Sequence, residues 1–223
     1  MAEIKKILIA NRGEIVQRAI RTIREMGKKS VAVYSAGDKN ASYLKHADEA
    51  VCIGDVKSAD SYLNIPALIT AAEMTGCDAI FPGYGFLSEN QDFVEICRLH
   101  NIKFIGPSVE VMEKMADKSK AKDEMIKAGV PVVPGSDGAV HTLEEGRKVA
   151  LEIGYPIMAK ASAGGGGRGM RLINDESDFD QLFMAASSEA LAAFGDGTMY
   201  LERFINNPRH IEVQVIGDSH GNA

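Results

Sequence analysis

A regular alternation of short apolar runs with helical segments over the first 105 residues constrains the fold more than any other feature of the sequence. Runs typical of buried strands lie at 7–10, 31–34, 50–53, 79–81 and 103–105. Helical patterns lie at 14–26, 65–74 and 92–100, and glycines at 27 and 76 end the first two. Strands that alternate with helices predict a doubly wound α/β domain with a parallel, Rossmann-like sheet.

The pattern changes after residue 108. Two successive helices are predicted over 109–115 and 119–128, and Gly129, Pro131 and Pro134 follow them. We place a domain boundary near residue 130, because glycine and proline end the helical pattern there. A smaller α/β unit is predicted next, with helices at 143–153 and 176–194 and strands at 156–161, 169–173, 199–204 and 210–216.

Three units are therefore predicted, namely residues 1–130, residues 131–204, and the start of a third unit at 205–223. The apolar strand at 210–216 has no partner strand after it in the sequence. Because an unpaired strand with an apolar face is unfavourable, we expect the third unit to be truncated.

Five glycines within six positions form the sharpest local signal, at 164–167 and 169. Glycine lets backbone N–H groups approach phosphate oxygens closely. The spacing formally matches G-x-G-x-x-G, but that motif must open a helix, and here a strand is predicted to follow. No G-K-[ST] follows either, so a Walker A loop is excluded. The loop is instead predicted to join two strands as a phosphate flap.

Two basic residues accompany the flap. Lys160 ends the preceding strand and is predicted to contact phosphate, although a lysine there could also extend its ammonium to solvent. Arg168 lies within the loop, where it could neutralise further negative charge or remain a solvated surface residue.

Composition excludes several classes of partner. The formal net charge is −6, so no basic field is available to attract nucleic acid or an anionic membrane. No apolar run approaches the ~18 residues of a membrane-spanning helix. Cys52, Cys77 and Cys97 lack the spacing of a metal site or disulfide framework. We expect them to be buried thiols of a cytoplasmic protein.

Five segments occur in a fixed order: IANRGEI at 9–15, FPGYGFLSEN at 81–90, FIGPS at 104–108, GYP at 154–156 before the glycine loop, and NPRHIEVQ at 207–214. Together they resemble biotin carboxylase, within the ATP-grasp superfamily, and the resemblance extends from residue 4 to 223. The glycine loop alone would indicate only ATP-grasp, whereas ANRGEI and PGYGFLSEN are far more specific.

The resemblance implies an ATP-dependent ligase. ATP and bicarbonate give carboxyphosphate, and its carboxyl group passes to biotin tethered on a carrier protein. The family fold has an N-terminal α/β domain (a pre-ATP-grasp domain), a small ATP-grasp lid and a larger C-terminal domain. The implied partners are ATP, bicarbonate, biotin carboxyl carrier protein and a carboxyltransferase component, with a homodimer in the intact protein. The resemblance does not specify the final acceptor of the carboxyl group. Three acceptors are compatible with it, namely propionyl-CoA, pyruvate and acetyl-CoA, the last of which serves fatty acid biosynthesis.

The resemblance also assigns residues to the ATP phosphates. Lys118 and Lys160 match two lysines that hold these phosphates. The flap that closes on the phosphates is matched by Gly164, Gly165, Gly166 and Gly167. Without the resemblance, Lys118 would be interpreted as a solvated lysine at a polar helix junction.

A second group of residues matches the adenine site. Glu202, Arg203 and Ile205 match a hinge in which a carboxylate and backbone groups bind the amino edge of adenine and an apolar side chain covers the ring. His210 matches a histidine that contacts the nucleotide. Taken alone, Glu202 could simply face water, and His210 could be a surface or capping residue.

Tyr84 and Gly85 match a loop near the biotin and bicarbonate site, although Tyr84 could also serve in loop packing. No catalytic residue and no metal ligand is assigned within residues 1–223. In the family, the carboxylates that hold Mg²⁺, the bicarbonate-binding arginine and lysine, and the glutamate base lie beyond that point. We therefore expect residues 1–223 alone to lack biotin carboxylation activity and to bind ATP weakly.

Three other functions fit parts of the sequence. A different ATP-grasp ligase, of purine or carbamoyl phosphate synthesis, would share the flap but not PGYGFLSEN. A non-catalytic nucleotide-binding module would fit a chain that naturally ends at 223. A nicotinamide-dependent dehydrogenase fits less well, because the first strand–helix turn, at 11–14, holds one glycine rather than three.

Overall fold

The computed structural model describes residues 3–116, 118–162, 169–218 and 220–223, without the side chains of 116 and 118–120. The chain divides into two compact units, the first ending at Glu124 and the second beginning at Met125. The sequence-based division at 130 and 204 stays a prediction.

The first unit is built on a parallel sheet of five strands in the order β3-β2-β1-β4-β5. This sheet confirms the predicted doubly wound α/β fold. The strands are β1 (Lys6–Ile9), β2 (Lys29–Ser35), β3 (Glu49–Gly54), β4 (Ala79–Phe81) and β5 (Lys103–Phe104). The helices are α1 (Glu14–Glu25), α2 (Ile65–Thr75), α3 (Gln91–Leu99), α4 (Val109–Ala116) and α5 (Lys118–Lys127), the last of which continues into the second unit.

The apolar side chains of this sheet are buried on both faces. Leu8 joins a cluster with Leu68 of α2 and Phe93 of α3, whereas Ile7 and Ile9 join a cluster formed with α1. Successive side chains of a strand point to opposite faces, so the buried positions 7–9 of β1 must all be apolar. This explains why the strand appears in the sequence as a continuous apolar run.

The strand order places a topological switch between β1 and β4. The chain leaves β1 for β2 on one side, and the later strands β4 and β5 lie on the other side. Loops from the carboxyl ends of the two strands diverge at such a point and leave a crevice where ligands bind in α/β sheets. The loops concerned hold residues 10–13 and 82–90.

Helix ends in this unit follow local signals. The side chains of Asn64 and Asn90 accept hydrogen bonds from Ala67 N and Phe93 N, and so cap α2 and α3. Gly76 ends α2 in a left-handed conformation, with φ of 65°.

Asp48 joins the beginning of β2 to the segment before β3. Its carboxylate accepts from Ser30 N and Oγ, both at 2.9 Å, and from Lys29 Nζ at 2.8 Å. These bonds, led by the one from Lys29, lower the pKa of Asp48 from 3.8 to about 2. The folded state therefore stabilises the charged carboxylate.

The Asp48→Asn variant should consequently unfold more easily than the wild type at pH 7, by about 1 kcal/mol, because solvent screens a side chain that is 35% exposed. The pKa is lowered on folding, so the contribution is complete above the unfolded value and is lost as pH falls from about 4 to about 2. Urea unfolding at pH 7 and pH 3 tests this, with Asp60→Asn as an exposed control. A difference that stays constant with pH would contradict it.

The second unit contains a three-stranded antiparallel sheet in the order β7-β6-β8. Its strands are β6 (Ile157–Ala161), β7 (Met170–Ile173) and β8 (Met199–Arg203), and its helices are α6 (Leu143–Ile153) and α7 (Phe179–Phe194). A short 3-10 turn at Glu176–Asp178 precedes α7, where the sequence predicted one continuous helix. Strands β6 and β7 pair antiparallel and are consecutive, which confirms the predicted hairpin.

The predicted strand at 210–216 is wrong. The structure assigns no strand to residues 205–218, and Ile211, Val213 and Val215 are exposed. A β-strand needs a neighbour to satisfy its backbone N–H and C=O groups, and no strand of the described chain pairs with this segment. The alternation of apolar residues at 210–216 is therefore not sufficient to predict a strand.

The burial of the cysteines was predicted correctly for two of the three. Cys77 and Cys97 are buried, but Cys52 is exposed. Cys52 lies on β3, which is an edge strand of the sheet, and its side chain is not covered. Burial raises the pKa of the Cys97 thiol to about 12, so this cysteine is an unreactive part of the core.

Candidate functional site

The sheet of the second unit has one face covered by helices and one face partly open. Ile157 and Ala159 of β6 and Leu201 of β8 are buried in a cluster with α6 and α7. Because strand side chains alternate, Lys160 of β6 and Glu202 of β8 lie on the opposite face. Both are only partly buried, so this face can receive a ligand.

Lys160 and Glu202 form an ion pair on the open face. The Nζ of Lys160 donates to Oε2 of Glu202, and the two side chains are 37% and 29% exposed. In the register, Lys160 lies opposite Tyr200 and Glu202 lies opposite Met158, so the pair crosses the strands diagonally. Two residues that the sequence assigned to ATP are therefore brought into direct contact.

Apolar side chains lie beside this pair on the same face. The strand registers place Met170 opposite Lys160 and Leu172 opposite Met158, and all three apolar side chains are incompletely buried. An apolar surface with a few well-placed polar groups is the usual lining of a small-molecule site. A flat heterocyclic base can pack on the apolar groups while the ammonium contacts phosphate and the carboxylate accepts from an amino group.

The segment before α6 forms backbone and side-chain hydrogen bonds along the outer edge of β8. Ser136 N donates to Leu201 O at 2.7 Å, Ser136 Oγ accepts from Leu201 N at 3.2 Å, and Arg203 N donates to Pro134 O at 2.8 Å. Isolated bridges join Gly135 to Glu202 and Val140 to Met199. These bonds hold β8 in place and so position Glu202.

The predicted flap begins after the last described hydrogen bond of the β6–β7 hairpin. Ala161 N donates to Gly169 O at 2.9 Å, and Gly169 has φ of 66°. A Cβ on Gly169 would lie 2.8 Å from Ala161 Cβ, so glycine is required there by both conformation and space. The flap residues Gly164, Gly165, Gly166 and Gly167, together with Arg168, lie outside the described residues, and their assignment stays a prediction.

Lys118 begins α5, but its side chain lies outside the described part of the chain. Its assignment to phosphate stays a prediction as well.

Arg203 does not project its side chain onto the face that carries Glu202. Its Nε donates to Ile153 O at 3.0 Å, and its Nη2 contacts the same oxygen at the end of α6. Adjacent strand residues face opposite sides, which explains why Arg203 stabilises a helix end. A role in adenine binding through the Arg203 backbone stays a prediction.

Ile205 and His210 follow β8 in the segment without regular structure. Ile205 is exposed, and His210 Nε2 lies 3.2 Å from Glu212 Oε2 at the surface. Their roles at the nucleotide stay predictions.

Tyr84 and Gly85 belong to the first unit, in the loop at 82–90 that follows β4. The side chain of Tyr84 is 64% exposed, and Gly85 has φ of 72°. The loop lies at the topological switch between β1 and β4, a position where α/β proteins bind ligands. Tyr84 is therefore presented to solvent and is not used for packing.

Sequence reasoning did not single out Asn11, which contacts this loop. Asn11 is 3% exposed, and its Nδ2 donates to Pro82 O at 2.7 Å and to Tyr84 O at 2.8 Å. The partners of Asn11 are 71 and 73 residues away in the sequence. The available signals were its position directly after an apolar strand and within the ANRGEI segment.

An ionic network lies next to Asn11. Arg12 donates to Asp38 through Nε at 2.6 Å and Nη2 at 2.5 Å, and this pairing lowers the pKa of Asp38. Tyr62 Oη donates to the same carboxylate at 2.6 Å, and burial raises the pKa of Tyr62. The network is therefore charged and fully paired near neutral pH.

Two negative findings apply to the described residues. No three His, Cys, Asp or Glu side chains among them come together as a metal site requires. None of the helices in the same ranges has both the length and the apolar character needed to cross a bilayer.

Two family models together match nearly the whole chain. The model described as biotin carboxylase, N-terminal domain, matches residues 3–112. The model described as carbamoyl-phosphate synthase L chain, ATP binding domain, matches residues 117–223.

Similar proteins agree with both models. The biotin carboxylase of Nostoc sp. is 58% identical over 218 residues, which cover 98% of this chain and 49% of that protein. The structure of a biotin carboxylase–beta-gamma-ATP complex from Campylobacter jejuni is 67% identical, with a TM-score of 0.82, and the match covers 99% of this chain and 49% of that chain.

A third relative is the biotin carboxylase domain of the 2-oxoglutarate carboxylase of Hydrogenobacter thermophilus, a dimer in complex with MgADP, ADP and bicarbonate. It is 47% identical, with a TM-score of 0.73, and the match covers 93% of this chain and 46% of that chain. The present chain thus spans about half the length of these relatives.

Proposed function

Because the chain belongs to the biotin carboxylase family, we propose that it forms the nucleotide-binding part of an ATP-dependent ligase. The reaction uses ATP and bicarbonate to form carboxyphosphate and transfers the carboxyl group to biotin on a carrier protein. The observation that carries the proposal is the contact of Lys160 with Glu202 on the open face of the β6–β7–β8 sheet.

In this proposal Lys160 binds phosphate and Glu202 lies at the amino edge of adenine. An ammonium beside a carboxylate suits a nucleotide, which carries negative charge at one end and an amino group at the other. Lys118 and the flap residues 164–167 complete the phosphate contacts, while Ile205 and the Arg203 backbone lie at the base. The Campylobacter relative is a complex with an ATP compound, which supports this assignment.

His210 is proposed to contact the nucleotide from the segment that follows β8. Its exposed ring pairs with Glu212 and can exchange that partner for a ligand at little cost, since surface ion pairs contribute little. Tyr84 and Gly85 are proposed to lie near biotin and bicarbonate, and the exposure of Tyr84 is consistent with this. The Hydrogenobacter relative is a complex with bicarbonate.

Mg²⁺ is proposed to accompany ATP, as MgADP does in the Hydrogenobacter relative. The metal would bridge phosphate oxygens and neutralise their charge. The described residues do not form a group that could hold it. The roles proposed here for the chain's own residues therefore concern the base and the phosphates.

The further partners are also proposals. A biotin carboxyl carrier protein would present the biotin, a carboxyltransferase component would consume the carboxybiotin, and the intact protein would be a homodimer, as the Hydrogenobacter domain is. The cytoplasm is the proposed location, because all three cysteines are free thiols. If the acceptor is acetyl-CoA, the reaction supplies fatty acid biosynthesis.

The proposal predicts that the full-length protein forms ADP from ATP only when bicarbonate is present, and that free biotin becomes carboxylated. Phosphate release and ¹⁴C-carboxybiotin formation measure the two outcomes. ADP formation that requires an amine and ignores biotin would instead indicate a different ATP-grasp ligase. Absence of bicarbonate-dependent ADP formation would contradict the proposal.

A further inference from the structure

Asn11 uses its entire side-chain amide to hold the loop at 82–90 against the end of β1. Its Nδ2 donates both hydrogens, to Pro82 O at 2.7 Å and Tyr84 O at 2.8 Å, while its Oδ1 accepts from Arg12 N at 2.8 Å. The side chain is 3% exposed, so water cannot replace these bonds easily. The carbonyl of Tyr84 is thereby fixed relative to β1.

There is little space between Gly83 of the loop and the segment that contains Asn11 and Ile15. Gly83 lies between the two bonded carbonyls and has φ of 66°. A Cβ on Gly83 would lie 3.0 Å from Ile15 Cγ1 and 3.1 Å from Asn11 Nδ2. Close contacts and the hydrogen bonds of Asn11 therefore both hold the backbone before Tyr84.

The other side of Tyr84 is held by Phe86. Phe86 has φ of 43°, a conformation that is costly for a bulky side chain, and its ring stacks on Tyr62 with centroids 5.1 Å apart. Tyr62 Oη accepts from Ser35 N at 2.9 Å and donates to Asp38. Phe86 thus rests on a ring that hydrogen bonds hold in place.

Tyr84 lies between these two attachments with an exposed side chain. A packing role would require that ring to be covered, whereas the structure fixes its backbone on both sides and leaves the ring at the surface. An ordered backbone that carries an exposed side chain is typical of a residue presented to a ligand. Such strain and order are more than a connecting loop needs.

We propose that Asn11 is a positioning residue that orients the Tyr84–Gly85 segment for the bicarbonate and biotin steps. The inference rests on the proposed function, since it assumes that this segment lies near those substrates. It assigns Asn11 no contact with the substrates themselves. The proposed nucleotide contacts come from Lys118 and from residues of the second unit, and none comes from the loop at 82–90, so Asn11 should influence biotin and bicarbonate much more than ATP.

The test is Asn11→Ser in the full-length protein, because serine can donate only one hydrogen and is too short to reach both carbonyls. We expect kcat/KM for free biotin to fall at least about tenfold, with a raised KM for bicarbonate and a KM for ATP within about twofold of the wild type. Asn40→Ser, at an exposed asparagine of the same unit, should leave all three parameters unchanged.

A second variant, Phe86→Leu, loosens the other side of the loop without removing a hydrogen bond of Asn11. It should give the same pattern, a lower kcat/KM for free biotin and a raised KM for bicarbonate, and it provides the test if Asn11→Ser does not fold. Variants that melt at lower temperature but keep wild-type parameters for biotin and bicarbonate would overturn the positioning role. A wild-type enzyme without bicarbonate-dependent ADP formation would instead overturn the proposed function.

Discussion

Replacing Lys160 with alanine should weaken ATP binding by the full-length protein about 10- to 100-fold. A charge-assisted hydrogen bond contributes about 1.5–3 kcal/mol, and the variant would lose the one proposed between Lys160 and phosphate. The ion pair with Glu202 that the wild type gives up on binding is partly exposed, so it offsets little of this loss.

Isothermal titration with ATP and Mg²⁺ measures this change directly. Lys148→Ala is the matched control, because Lys148 lies on α6 in the same unit and is exposed. Its affinity should equal that of the wild type. If Lys160→Ala bound ATP as tightly as Lys148→Ala, the open face of the sheet would not be the phosphate site.

Replacing Leu201 with alanine should lower the free energy of unfolding of the second unit by about 2–5 kcal/mol. Leu201 is completely buried between β6 and the helices, and truncating such a residue leaves a cavity that its neighbours cannot fill. The next residue, Glu202, faces the open side, so Glu202→Gln should cost much less stability. We therefore expect substitutions on the buried face of β8 to affect stability and substitutions on its open face to affect nucleotide binding.

Urea unfolding with hydrogen exchange at the β6 and β8 amides measures the effect within the second unit. Leu151→Ala provides the control, because Leu151 is an exposed leucine of α6, and it should cost less than about 1 kcal/mol. Equal destabilisation by Leu151→Ala and Leu201→Ala would contradict the assignment of the buried face.

The strands of the first unit could be predicted because their signals are local. A strand segment that is buried on both faces must be apolar at each position. The end of α2 at Gly76 likewise depends only on the local backbone conformation. The strand order could not be predicted from these runs. Alternating strands and helices indicate a parallel sheet, but the placement of β4 beside β1 depends on contacts between distant segments.

The candidate site was predicted as separate residues and not as an arrangement. The position before the glycines predicts Lys160 and the family motif predicts Glu202, yet the two residues are 42 positions apart in the sequence. Their contact depends on the register of β6 and β8, which no local pattern specifies. The same alternation puts the side chain of Arg203 on the other side, where it contacts Ile153 O.

The structure also shows why Asn11 was missed and why the strand at 210–216 was predicted wrongly. In both cases the outcome depends on a partner that is distant in the sequence. Asn11 finds two carbonyl acceptors in the loop after β4, whereas residues 210–216 pair with no strand of the described chain. The role of a buried polar side chain, and whether an alternating apolar segment forms a strand, both depend on such distant partners.

A crystal structure of the full-length protein with a non-hydrolysable ATP analogue and Mg²⁺ tests the central claim most directly. We expect Lys160 Nζ within hydrogen-bonding distance of a phosphate oxygen, Glu202 at the amino edge of adenine, and residues 164–167 over the phosphates. An analogue bound elsewhere, with Lys160 still paired to Glu202, would contradict the account.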